Sequence, residues 1–379
     1  MNALASKLLA IALAVLLALT GVEWALRLGA EPPPQRLEGL YVAHDRLGYA
    51  LAPGFCGRDV QPDGDFDVEV CVDETGHRRS VVPDGAEGAP VLVLGGGFAF
   101  GTGVGDGETF ASRLAARIDR PVVNGGLEGG DLSTALAVLD QHLEAGLVPS
   151  AVLFTVDLGR DLLDPDAPRA VEAWSAHGGR RVPRALVNDR GSLRFDPFLR
   201  LHWRSYDALR RRFDPPVDSA PGPRELGLLD LPAEGVRERL AGALRDLVAR
   251  VLQTKRPILM AALAVPTRYQ VEEPYRARVC AEWGVCAEGA DLVRSHRLLR
   301  RAAGPLSLPF LDMLADLRAL DPQTPERFYF AHDRHWKPEA HERAAAAASQ
   351  LIRFIENVQQ RNREAGRRLP RRAPTPPGE

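Results

Sequence analysis

Apolar residues along this chain fall into short unbroken runs that alternate with stretches of helical spacing. Val91–Leu94, Pro121–Asn124, Ala151–Val156, Pro257–Val265 and Pro309–Met313 read as buried strands, because they lack the polar alternation of a half-exposed strand. Between and after them, Glu108–Ile118, Leu132–Ala145, Leu231–Leu252, Ala290–Ala303 and Pro338–Glu356 repeat apolar positions every three to four residues. Val236, Leu240, Leu244, Leu247, Val248 and Val251 form one such stripe. Pro338 sits where a helix's first turn tolerates it. Strands alternating with helices predict an α/β fold, a three-layer doubly wound parallel sheet covered on both faces.

The pattern fails in three places. Residues 1–30 carry an apolar run from Leu8 to Val22 that resumes at Trp24, Ala25, Leu26 and Leu28 and is cut off by Pro32–Pro34. An uncleaved membrane anchor is favoured over a cleaved signal, with the body outside the cytoplasm. Residues 31–88 are a proline linker followed by a turn-rich, alternating stretch, read as a small β-rich lead-in. The main domain then spans 89–356 and is interrupted by an Arg- and Pro-rich insertion over 164–230 without clear periodicity. Its basic residues Arg180, Arg181, Arg184, Arg190 and Arg194 are expected on a solvated lid, with an anionic partner as the sharper alternative. Residues 357–379 are basic and proline-rich and are expected to be disordered.

Composition narrows the classes. Apolar residues make up 45% of the 379, enough for a full core, and the formal net charge of -2 gives no global field for nucleic acid. The four cysteines form two local pairs, Cys56 with Cys71 and Cys280 with Cys286, at spacings unlike a zinc knuckle or redox motif. Two local disulfides in an oxidising compartment are favoured, and four reduced buried thiols are the alternative.

The first strand runs into a glycine-rich loop, VLVLGGGFAFGTGVGDGETF, from Val91 to Phe110. A phosphate-cradling loop of the Gly-Lys-[Ser/Thr] type is excluded, since no Lys occurs between Lys7 and Lys255. A dinucleotide fingerprint needs glycines at i, i+2 and i+5. The frames opening at Gly95, Gly101, Gly103 and Gly105 end on Phe100, Asp106, Glu108 and Phe110, so none fits.

A third possibility is a nucleophile turn, and here the sequence resembles the SGNH/GDSL hydrolase superfamily, in particular its membrane-anchored bacterial members. Leu94, Gly95, Phe98, Phe100, Gly101, Gly103, Val104, Glu108, Thr109 and Phe110 match the flanks of the family's first motif. Its Asp falls on Gly96 and its nucleophilic Ser on Gly97. GVEWALRLG resembles the end of the family's anchor. LGYALAP and DETGHRRS resemble its lead-in, where a Gly-Phe-Arg stands near Gly76–His77–Arg78. VVNGGLEGGDLS resembles the second block, placing the oxyanion-hole glycine on Gly129. FTVDLGRDLLD resembles the third, placing Asn-Asp on Arg160–Asp161. HDRHWKPEAHERAA resembles the last, placing the acid on Asp333 and the base on His335.

The resemblance implies acyl transfer, with Ser attacking an ester, His taking its proton, and backbone N–H groups plus Asn holding the oxyanion. Here the base and acid positions are kept, the nucleophile is Gly97, and Arg160 replaces the Asn. The expectation is a degenerate esterase with a binding or accessory role in the cell envelope, its ligand an acylated or acidic glycan or lipid. Two alternatives stand beside it: an esterase, acyltransferase or deacetylase using His335–Asp333 with water or a relocated nucleophile, and a structural subunit of an envelope complex. Thr102 and Ser112 are expected to serve structure, with Thr102 requiring a rebuilt turn to act. His332 and His341, with His335 near Asp333, are expected at the surface rather than around a metal. No cofactor or metal is expected, and the sequence sets no oligomeric state.

Overall fold

The computed structural model describes residues 37–161 apart from 38, 62 and 160, strands over 174–177 and 180–183, residues 233–283, 291–319 and 327–368, and scattered positions of a helix between 7 and 25. Arg160, Cys286, most of the expected anchor and insertion, and residues 369–379 of the tail therefore lie outside the described residues. Among the described residues no helix is long and apolar enough to cross a membrane.

Five parallel strands form the central sheet: β5 (Val91–Gly95), β6 (Val122–Gly126), β7 (Ala151–Asp157), β10 (Leu259–Val265) and β11 (Phe310–Asp312). Their order across the sheet is β11-β10-β7-β5-β6. Read from the β6 edge this is the flavodoxin-like doubly wound order, with the direction of winding reversing at β5. Strand periodicity feeds two cores. Val91, Val93, Leu153, Ala261 and Leu263 face the helices Phe110–Ile118, Met313–Arg318 and Pro338–Arg368. Their neighbours Leu92, Leu94, Val152, Phe154 and Ala262 face Leu132–Glu144, Ala233–Gln253 and Arg294–Ala303. Strands buried on both faces are why the sequence showed continuous apolar runs.

Helix starts follow their caps. Thr109 accepts from the Ser112 N–H at 3.2 Å, and Asp131 accepts from the Thr134 N–H at 2.9 Å. The last helix does not stop at Glu356 but continues to Arg368. Gln, Arg, Glu and Ala dominate that stretch and favour helix, and the next proline is Pro370, so the expectation of disorder from residue 357 is corrected as far as Arg368.

The lead-in is β-rich as expected. It holds hairpin β1 (Tyr41–His44) with β2 (Gly48–Leu51), and hairpin β3 (Cys56–Val60) with β4 (Asp67–Cys71). Cys56 and Cys71 are directly cross-strand and disulfide-bonded. Cys280 is also disulfide-bonded. Within the insertion, β8 (Trp174–His177) and β9 (Arg180–Pro183) form a third hairpin that the sequence pattern did not reveal. Two helices, Arg268–Val271 and Glu273–Trp283, follow β10.

Candidate active site

The loops that leave the C-terminal ends of β5, β6 and β7 meet the loop before the Pro338 helix. After β5, Gly97–Phe100 makes one helical turn, closed by N–H groups of Gly101 (2.8 Å) and Thr102 (3.1 Å) donating to the Gly97 carbonyl. Arg78 braces this loop from the lead-in. Its fully buried guanidinium donates to the carbonyls of Gly101 at 3.2 Å and Val104 at 2.8 Å and to Asp106 at 3.0 Å. The cost of burying that charge is offset by these three acceptors, one of them the Asp106 carboxylate.

Asp333 and His335 stand on the loop entering the last helix, and the His335 Nδ1 is in hydrogen-bond contact with Asp333 Oδ1. The His335 ring packs 5.0 Å from the Phe98 ring, and Phe98 lies 5.2 Å from Trp336. Two residues unmarked in the sequence hold the loop. Asp65, between β3 and β4, accepts from the backbone N–H groups of Ala331 (3.1 Å), His332 (2.7 Å) and Asp333 (2.7 Å). Arg268 donates to the carbonyls of Phe330 at 3.3 Å and Ala331 at 2.9 Å. Burial opposes ionisation of Asp65, yet the Asp333 and His332 donors win and hold its carboxyl below the usual range.

Burial pulls the His335 imidazole down, but the charge and hydrogen bond of Asp333, with Glu128 and Asp157 behind them, raise its pKa above the ordinary histidine value. Glu128 neighbours Gly129, which is buried with φ of 77°, a left-handed turn suited to glycine. Tyr41 Oη donates to the Glu128 carboxylate at 2.8 Å, and Tyr49 Oη to the Glu128 carbonyl at 2.6 Å. Asp161 accepts from the Asp157 N–H at 2.9 Å.

The decisive geometry is at Gly97. A Cβ built there would lie 2.3 Å from His335 Nε2, 3.0 Å from His335 Cδ2 and 3.1 Å from Thr102 Oγ1. The imidazole thus fills the space a side chain at position 97 would need. The Thr102 hydroxyl borders the Gly97 position, is buried and makes no hydrogen bond. At 1% exposure it is shielded from any substrate. Ser112 is structural as expected, donating to the Asp106 carbonyl at 2.5 Å and accepting from the Val81 N–H at 2.9 Å.

His332 is exposed, with its Nδ1 3.2 Å from Asp65. His341, expected at the surface, is instead fully buried against Trp336, and burial pushes its pKa down to about 3. It sits one turn into the apolar face of the last helix, which the Asp-x-His-Trp motif hid. Among the described residues no group of three His, Cys, Asp or Glu side chains could hold a metal ion.

No family profile matches the chain, and no curated protein matches it in sequence. Solved structures similar to it include a lipolytic protein of the G-D-S-L family from Desulfitobacterium hafniense (13% identity, 69% of this chain and 99% of that one, TM-score 0.34). A G-D-S-L family lipolytic protein from Veillonella parvula is 12% identical over 69% of this chain and 96% of its own, with a TM-score of 0.35. A catalytic mutant of an acetylxylan esterase from Geobacillus stearothermophilus is 16% identical over 70% of this chain and 94% of its own, also with a TM-score of 0.35. The reading of the site rests on the chain's own residues.

Proposed function

We propose that this chain is an SGNH-hydrolase-like protein in which serine-ester chemistry has been lost, and that its site serves binding in the cell envelope. Its ligand class is an acylated or acidic glycan or lipid. The observation that carries the reading is the occupation of the nucleophile's space by His335, with glycine at 97. Glycine forms no acyl-enzyme, and nucleophile and base act as a unit, so loss of one removes most of the rate. An extracytoplasmic body on an N-terminal anchor belongs to the same proposal, supported by the Leu8–Val22 apolar run and by the Cys56–Cys71 disulfide. The test uses purified protein with short-chain aryl esters and a fluorophosphonate probe. No labelling and no turnover above background are expected. Turnover that disappears in His335→Ala would overturn the proposal.

A second reading is favoured by one feature, the Asp333–His335 contact and the Asp65 clamp that holds its loop. A dyad of this kind can hydrolyse an ester through water. His335 Nε2 takes a proton from water, the hydroxide adds to the carbonyl carbon, and the alcohol leaves with that proton. His335-dependent turnover without fluorophosphonate labelling is the signature of this route.

A further inference from the structure

Away from the site, a cavity of about 460 Å³ lies between the β1–β2 hairpin and the second half of the helix Leu132–Glu144. None of Gly97, Gly129, Asp333 and His335 lines it. Its size falls within the roughly 300–1,000 Å³ of small-molecule sites. Most of its wall is aliphatic, including Leu47, Leu127, Val138 and Leu147. The polar groups gather at His77, Gln141 and His142. Two of these are engaged: His77 Nδ1 lies 2.8 Å from the Thr75 hydroxyl, and Gln141 Nε2 lies 2.9 Å from His44 Nε2.

His142 is different. It is 4% exposed, and neither ring nitrogen has a hydrogen-bond partner. Two buried, unpaired nitrogens carry a desolvation cost that a partner inside the cavity would remove. The His77 ring packs edge-on against it at 5.8 Å. Burial, and next the neighbouring His77, push the His142 pKa down to about 4, so the imidazole is neutral and presents one donor and one acceptor. A charged head group would be stranded beside this neutral ring and the aliphatic wall. A hydroxyl both donates and accepts, so it suits whichever of the two nitrogens it meets.

We propose that this cavity is a binding site for an uncharged amphiphile, a medium-length aliphatic chain ending in a hydroxyl or glyceryl head, with the chain on the aliphatic wall and the head on His142. The volume corresponds to about fifteen groups of roughly 30 Å³, space for a chain of about ten carbons and its head. The site is independent of the fate of the serine centre, so it stands or falls separately from the proposed function.

The experiment titrates 1-decanol, 1-monodecanoylglycerol and decanoate into the full chain, followed by calorimetry and by the ¹⁵N shifts of labelled histidine. The two neutral amphiphiles are expected to bind and to move the His142 resonances, with decanoate much weaker. His142→Phe keeps a ring of similar size and is expected to weaken binding about tenfold, roughly one hydrogen bond. Ala145→Trp, at an exposed position on the cavity rim, is expected to abolish binding while leaving the fold intact. Absence of saturable binding by either neutral amphiphile overturns the proposal. So does binding unchanged in Ala145→Trp, or decanoate binding as tightly as the alcohol.

Discussion

Substituting Gly97 by Ala tests whether His335 has taken over the nucleophile's space. The added Cβ would meet His335 Nε2 at 2.3 Å, far inside contact distance, while Thr102 Oγ1 at 3.1 Å needs only a small adjustment. The imidazole cannot retreat freely, because Nδ1 is held by Asp333 and the ring packs on Phe98. Overpacking of this kind costs about 1–3 kcal/mol. In a domain of this size that lowers Tm by about 2–5 °C. The backbone at 97 is otherwise compatible with Ala, as the residue begins a helical turn without positive φ. In a His335→Ala background the same change is therefore expected to be neutral or to stabilise by about 0.4–1 kcal/mol. A thermal and chemical denaturation cycle over the four proteins reads the coupling directly. Gly97→Ser should behave like Gly97→Ala and remain unlabelled by a fluorophosphonate. If Gly97→Ala is neutral with His335 present, or if Gly97→Ser labels and turns over ester, the space is not occupied and the reasoning fails.

Asp65→Asn removes a charged acceptor shared by three backbone N–H groups and should cost about 1.5–3 kcal/mol at neutral pH. Because the folded Asp65 pKa is depressed, its contribution is present above the unfolded value of about 3.9 and is lost as pH falls through the folded pKa, so wild type and variant should converge in acid denaturation. For His335 the sign is opposite: its raised folded pKa gives stability that is full below about 6.5 and lost as pH rises through the folded value. Asp333→Asn should lower the His335 pKa in an NMR titration and flatten that alkaline loss, and an unchanged titration would contradict the assigned pairing.

The strands were legible because β5, β7 and β10 are buried on both faces and so carry unbroken apolar runs. Their helices were legible because one face of each meets a single core. Asp333 and His335 were legible as a short local motif. The parts that hold the motif in place were not. Asp65 bonds to Asp333 across 268 positions, and nothing near it in the turn between β3 and β4 marks it. Arg268 lies in a four-residue helix too short for any periodicity to show, and its buried charge reads as a surface residue until Glu272, 2.7 Å away, is seen beside it. The glycine run was legible in the loop, but only geometry shows that His335 and Thr102 border the space at Gly97.

These contacts give the lead-in a larger part than its composition suggests. Each loop of the site is braced from residues 37–88: the Gly97 loop by Arg78, the Gly129 loop by Tyr41 and Tyr49, and the His335 loop by Asp65. Apolar packing follows the same division. Leu40, Tyr49, Leu51 and Val70 share a core with Phe100 and Leu127, while Phe66 packs between Val104 and Phe330. A chain trimmed to begin at residue 89 would expose these aromatic and aliphatic surfaces and leave the Asp106 carboxylate, 7% exposed, without Arg78. Losing this packing and the Arg78 bonds removes a large share of a stability of about 5–15 kcal/mol. The trimmed chain is therefore expected to lose cooperative unfolding and to bind a hydrophobic dye such as ANS. A sharp transition at the full-length Tm, with His335 titrating as before, would show instead that the α/β domain builds its site alone.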